Sequence, residues 1–169
     1  MSISPPIINR APTEVRIATM RFGTPESVSV GASDLYAFPE ALPGLPDSHR
    51  YALVRDDAYA PLCWLQSLDE GPVCLPLLPL DALAVGGYAA DIAEALGADA
   101  ARGVLLVTRF DDAAGAFAVN MLAPIALDDA VATGRQIVLD GLQKHYPLRQ
   151  HVAWAAATGT FAPLASASC

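Results

Sequence analysis

The chain has 169 residues and a formal charge of −8, from eighteen acidic against ten basic side chains, which suits a single domain. At this size roughly 70% of the unfolded surface can be buried. The high apolar and low charged content excludes a disordered body, and the absence of an eighteen-residue apolar run argues against a membrane-spanning helix. The acidic balance disfavours direct contact with nucleic-acid phosphates and favours a basic protein partner, whose encounter it would speed. The N-terminus carries prolines and polar residues where a secretory signal needs an apolar core, so a cytoplasmic protein is expected.

In chain order, residues 1–12 read as a mobile arm. Alternation of Val15, Ile17 and Thr19 against Arg16, Ala18 and Met20 predicts a strand over 15–23. A turn at Gly23-Thr24-Pro25 joins it to a short strand over 27–30, giving an antiparallel hairpin. A strand over 35–38 stops at Pro39. The loop from Pro39 to Pro46 carries Leu42 and Leu45 among three prolines and a glycine. Loops are ordinarily polar, so these leucines either tuck into the domain or meet a partner, with Leu42 the better core plug and Leu45 the better contact. Pro43-Gly44 fits the centre of a type II turn.

Strands over 51–55 and 61–67 form the next hairpin around Asp56-Asp57. In the stretch 63–69, period two sends Trp64, Gln66 and Leu68 to one face and Cys63, Leu65 and Ser67 to the other. An amide beside a tryptophan must pair with neighbouring backbone if covered, or face a partner if not. Both readings of Gln66 stand at this point. Residues 73–78 continue as an apolar strand in which Pro76 demands an edge or a bulge. A helical turn over 80–85 precedes a helix over 88–96 closed by Gly97. Strands over 104–110 and 116–122 pair across the turn at 111–115. The run breaks at Ala123-Pro124, resumes over 125–127, and leads to a strand over 134–139 and a short return over 145–149. Residues 153–169 form an Ala/Ser-rich tail for which Trp154 and Phe161 are the available anchors.

This pattern predicts a mainly β chain: a small closed or nearly closed antiparallel β-barrel over 13–152 with one or two short helices. Cys63, Cys74 and Cys169 show no CxxC pair, and His49, His145 and His151 no metal-ligand spacing. No cofactor is expected. No GxSxG, HExxH or phosphate-binding glycine loop occurs, and Cys63 has no basic neighbour in sequence to activate it. A binding protein is expected rather than an enzyme.

The stretch WLQSLDEGPVCLPLLP at 64–79 resembles the signature of the FliW family of flagellar assembly factors. Three further stretches resemble it in the same order: Arg21-Phe22-Gly23, FPEALPGL at 38–45 and NMLAPIAL at 120–127. A weaker one is QIVL at 136–139 followed by Tyr146, Pro147 and Arg149. Together they cover roughly residues 15 to 152. Ala41, Leu45 and Met121 depart from the glycine, phenylalanine and leucine usual in the family. The resemblance implies a non-enzymatic cytoplasmic regulator that binds the RNA-binding translational repressor CsrA, relieving its block on flagellin mRNA, and that also binds flagellin. The contact residues chosen are Leu42, Pro43 and Leu45 for apolar contact, Gln66 and Asp69 for polar contact, and Asp56, Asp57, Asp111 and Asp112 at the rim. The alternatives are a barrel holding a small apolar ligand, and a divergent interaction module without flagellar partners.

Overall fold

The computed structural model describes residues 14–97 and 103–165. The arm expected over 1–12 and the end of the tail, 166–169, lie outside the described residues. The strands are β1 (Glu14–Thr19), β2 (Glu26–Gly31), β3 (Leu35–Ala37), β4 (Arg50–Arg55), β5 (Cys63–Ser67) and β6 (Cys74–Pro79). After the helix α1 (Tyr88–Leu96) come β7 (Gly103–Asp111), β8 (Ala116–Asn120), β9 (Ile125–Asp128), β10 (Thr133–Gln136), β11 (Arg149–Ala155) and β12 (Thr160–Pro163). The helix begins and ends where its sequence pattern does, with Gly97 at φ 62° receiving the chain as it leaves.

Strands β7, β6, β5, β4, β3, β10 and β9 are hydrogen-bonded in that order, and β9 pairs back onto β7, closing a ring. Seven strands are an odd number, so directions cannot alternate all the way round. One neighbouring pair must be parallel, and it is β3–β10, joined at Ala37 and Thr133. The expected antiparallel pairing holds around the ring except at that seam. Beyond β7 the sheet branches outward through β8 and β11 to β12.

The alternation along β5 sorts its side chains as expected. Cys63 and Leu65 enter the ring, where they meet Phe38, Leu42, Tyr51, Leu53, Leu77, Leu105, Ile125 and Leu127. Trp64 and Leu68 face outward under the β1–β2 hairpin, against Ile17 and Val30. A third cluster fills the space between α1 and the branch, from Tyr88, Ile92, Leu106, Val119, Met121, Val152 and Phe161. Filling the ring with side chains weighs against a ligand carried in its interior. Gly134 on β10 gives way to the Phe38 ring: a Cβ there would lie 2.2 Å from Phe38 Cζ.

Three local expectations differ from the structure. Pro76 sits within β6, between β5 and β7, yet pairing with β7 starts only at Leu77, so its missing N–H removes no bond from that ladder. Of the return expected over 145–149 only Arg149 is strand, the first residue of β11; turns closed by His145 N and Tyr146 N on Leu142 O precede it. The boundary drawn at 152/153 cuts through β11. Residues 149–163 form a hairpin in which Trp154 lies across from Phe161, with ring centroids 5.2 Å apart.

Candidate partner-binding surface

Gln66 is a structural knot. It is wholly buried, its Oε1 accepts the Met20 N–H at 2.8 Å, and its Nε2 donates to the carbonyls of Ser67 (2.9 Å), Gly71 (2.9 Å) and Val73 (3.1 Å). The amide thus ties the end of β1 to the β5–β6 turn and has no free atom to offer. Its assignment to a recognition surface is corrected: covered by the hairpin, it must satisfy itself on backbone.

Above Trp64 the hairpin turn builds a different surface. Gly23, at φ 79°, lets its N–H close onto Met20 O at 2.9 Å, which sets Arg21 and Phe22 at the bend. The Arg21 guanidinium bonds Glu26 and, at 2.8 Å, Asp56 Oδ2, and lies 4.6 Å from the Phe22 ring centroid and 5.2 Å from that of Trp64. Tyr59 completes the cluster, 5.1 Å from Phe22 and 5.8 Å from Trp64 between centroids. Trp64 is buried, whereas Phe22 and Tyr59 are each 47% exposed. Asp56 caps the 3₁₀ turn Asp57–Tyr59 by accepting from Ala58 N, and that bond, followed by Arg21, holds its carboxyl below the usual range. Asp57 is exposed in the same turn.

The Pro-rich loop lies at the other end of β4. Leu45 N donates to Leu42 O at 2.9 Å across Pro43-Gly44, and Gly44 has φ 84°, the geometry of a type II turn. Leu42 is buried in the ring core, which removes it from the contact set as a correction; Leu45 is half-buried against the same core, and Pro43 is exposed. The Asp69 carboxylate accepts from His49 N and Arg50 N at 2.8 Å each and pairs with the Arg50 guanidinium, so it already anchors the loop to β4. Behind it, Ser48 Oγ joins Ser67 Oγ and Glu70 Oε2 at 2.7 Å each. Asp111 accepts from Ala113 N and Ala114 N and from His151 Nε2 at 2.9 Å, the last of which does most to lower its pKa. Asp112 is exposed beside it.

The nine sequence-chosen residues therefore fall into two buried positions, Leu42 in the ring core and Gln66 in its knot, and three separate surfaces. Leu45, Pro43 and Asp69 meet at one end of β4, Asp56 and Asp57 at the other, and Asp111 and Asp112 on the branch. The half-exposed aromatics Phe22 and Tyr59 are not among the nine. The signal available was an aromatic at each of two tight turns, where solvated residues are the norm. A cleft of about 680 Å³ opens at the ring's rim among Leu62, Pro79, Leu80 and Val104, with Asp57 and Asp81 on its edge.

A hydrogen-bonded β ring with an apolar side-chain cluster inside it and a hairpin packed on its outside defines a β-rich domain that presents surface side chains rather than a cofactor-sized interior. The chain belongs to the FliW family: the family model described as "FliW protein" matches residues 16–152. It is 26% identical over 145 residues to the flagellar assembly factor FliW of Syntrophus aciditrophicus (strain SB), covering 82% of this chain and 87% of that one. It is 32% identical over 130 residues to the FliW of Bdellovibrio bacteriovorus (strain ATCC 15356 / DSM 50701 / NCIMB 9529 / HD100), covering 73% and 71%. A crystal structure of the flagellar assembly factor FliW superposes with a TM-score of 0.59 at 17% identity, over 81% of this chain and 96% of that one, a likeness of fold. Among the described residues no helix is long and apolar enough to cross a membrane.

Proposed function

We propose that this FliW-family chain works in the cytoplasm as a non-enzymatic assembly factor that binds the translational repressor CsrA and flagellin. Occupying the repressor frees flagellin mRNA for translation, and flagellin accumulating unassembled competes for the chain. The observation carrying this reading is the family match over nearly the whole domain. The formal charge of −8 supports the repressor limb, because an RNA-binding protein must present a basic surface and opposite potentials speed encounter.

The test is a calorimetric titration of the purified chain against CsrA and against flagellin, at low and high salt. Binding to each tighter than about 10 μM, equivalent to roughly 7 kcal/mol, is expected, with the repressor complex weakening as salt rises. Absence of binding to both partners would overturn the reading.

A further inference from the structure

We propose that the Phe22–Tyr59 ridge is where the chain receives CsrA, by seating an arginine or lysine side chain of the repressor together with an apolar neighbour. This rests on the repressor reading above and adds the surface that performs it. Two half-exposed aromatic rings stand side by side over a buried tryptophan on a rigid base. The base is fixed by the Gln66 knot at Met20 and by the Arg21 pairs to Glu26 and Asp56. Exposed aromatics propped against neighbouring rings are the usual anchors of a protein interface.

Charge selects the occupant. One guanidinium, that of Arg21, faces the carboxylates of Glu26 and Asp56, and the exposed Asp57 adds to them, so the ridge has an excess of negative charge. Ring faces carry negative quadrupole density and attract cations within about 6 Å. The cluster already does this inwardly, with Arg21 held over Phe22 and Trp64. Its solvent-facing side offers the same chemistry to an incoming cation, and Asp57, two residues before Tyr59 on the edge of the neighbouring cleft, adds negative potential nearby. The Asp69 carboxylate is taken by Arg50 and backbone amides. The branch also presents half-exposed Phe110 and Trp154 beside Asp111 and Asp112, but His151 takes Asp111, and among the described residues the cation–ring stacking of Arg21 occurs only at the ridge.

The experiment compares the full chain with the double variant Phe22→Ser/Tyr59→Ser and with Asp57→Lys, titrating each against CsrA and flagellin. The double variant should weaken CsrA binding about tenfold or more, the size of one interface hot spot, and leave flagellin binding within about twofold. Asp57→Lys, a change on an exposed turn, should weaken CsrA binding chiefly at low salt. CsrA binding within about twofold of wild type in the double variant overturns this surface while leaving the repressor reading standing. An equal loss of both partners also overturns it, as does undiminished binding of CsrA by Asp57→Lys at low salt. A wild-type chain that ignores CsrA overturns surface and reading together.

Discussion

Gly134→Ala isolates one packing decision in the ring. Gly134 lies in ordinary strand pairing opposite Leu127, and its φ is not among the positive values, so alanine meets no backbone strain. The difficulty is space. The new Cβ would stand 2.2, 2.5 and 2.8 Å from three atoms of the Phe38 ring, whereas ordinary contact begins near 3.4 Å, so the ring must retreat by about 1 Å. It has little room, being fully buried and held edge-on by Tyr51 at 4.8 Å. Overpacking of this kind costs about 1–3 kcal/mol, against about 0.4–1 kcal/mol regained from the stiffer unfolded chain. The expected net loss is about 1–2 kcal/mol, read as a urea midpoint lowered by about 0.5–1 M. Phe38→Leu in the same background removes the clashing ring atoms, so its own cost should shrink, a coupling measurable in a double-mutant cycle. A Gly134→Ala midpoint equal to or above wild type would refute the steric argument.

Gln66→Leu should lower stability by about 1–3 kcal/mol, because the Met20 N–H loses its acceptor under cover; hydrogen exchange at Met20 should accelerate more than at β4 amides. Burial pushes the Cys63 thiol up to about 12, so mass mapping after brief alkylation of the native protein at pH 8 should find Cys63 unmodified and modified once the chain is unfolded. The carboxyls of Asp56, Asp69 and Asp111 are held below their ordinary value in the folded state, chiefly by Ala58 N–H, His49 N–H and His151 respectively. The folded chain therefore binds fewer protons than the unfolded one in acid. Their contribution is complete above the unfolded pKa near 4 and is lost as pH falls through the folded values, so urea midpoints should drop below pH 4, and Asp69→Asn should flatten that drop.

Strands β4 to β8 and α1 were legible because each carries its own period and its own punctuation. Cys63 and Leu65 inward against Trp64 and Leu68 outward is a direct reading of period two, and Gly97 marks the helix end. The β11–β12 hairpin was not legible, since Ala153, Ala155, Ala156 and Ala157 give no alternation and only Val152 and Phe161 reach the core. The parallel seam escaped for another reason: Ala37 and Thr133 are far apart in the chain, and no local pattern records their pairing. For the candidate surface, residue type named Asp56 and Asp57 but could not distinguish a free carboxylate from one already bound. Asp69 and Asp111 look identical to Asp57 until their partners are placed. Phe22 and Tyr59 were passed over because an aromatic in a turn is recognisable as exposed only once Trp64 is seen filling the space beneath it.

The seven-strand ring closes on itself without β1 and β2, which form a separate two-stranded sheet. The hairpin is therefore held by a few side chains: Ile17 and Val30 over Trp64, the Gln66 amide on Met20, and Arg21 on Asp56. If the Phe22–Tyr59 ridge docks the repressor, its precision depends on those attachments rather than on the ring core. Interior changes such as Gly134→Ala should then lower stability and leave repressor affinity intact below the unfolding transition. Gln66→Leu, equally buried and touching no partner, should weaken both, because the loosened hairpin must be re-ordered when the repressor binds. Covering with side-chain knots what could have been joined by a strand ladder makes stability and recognition separable by mutation, and the pair of variants measures that separation.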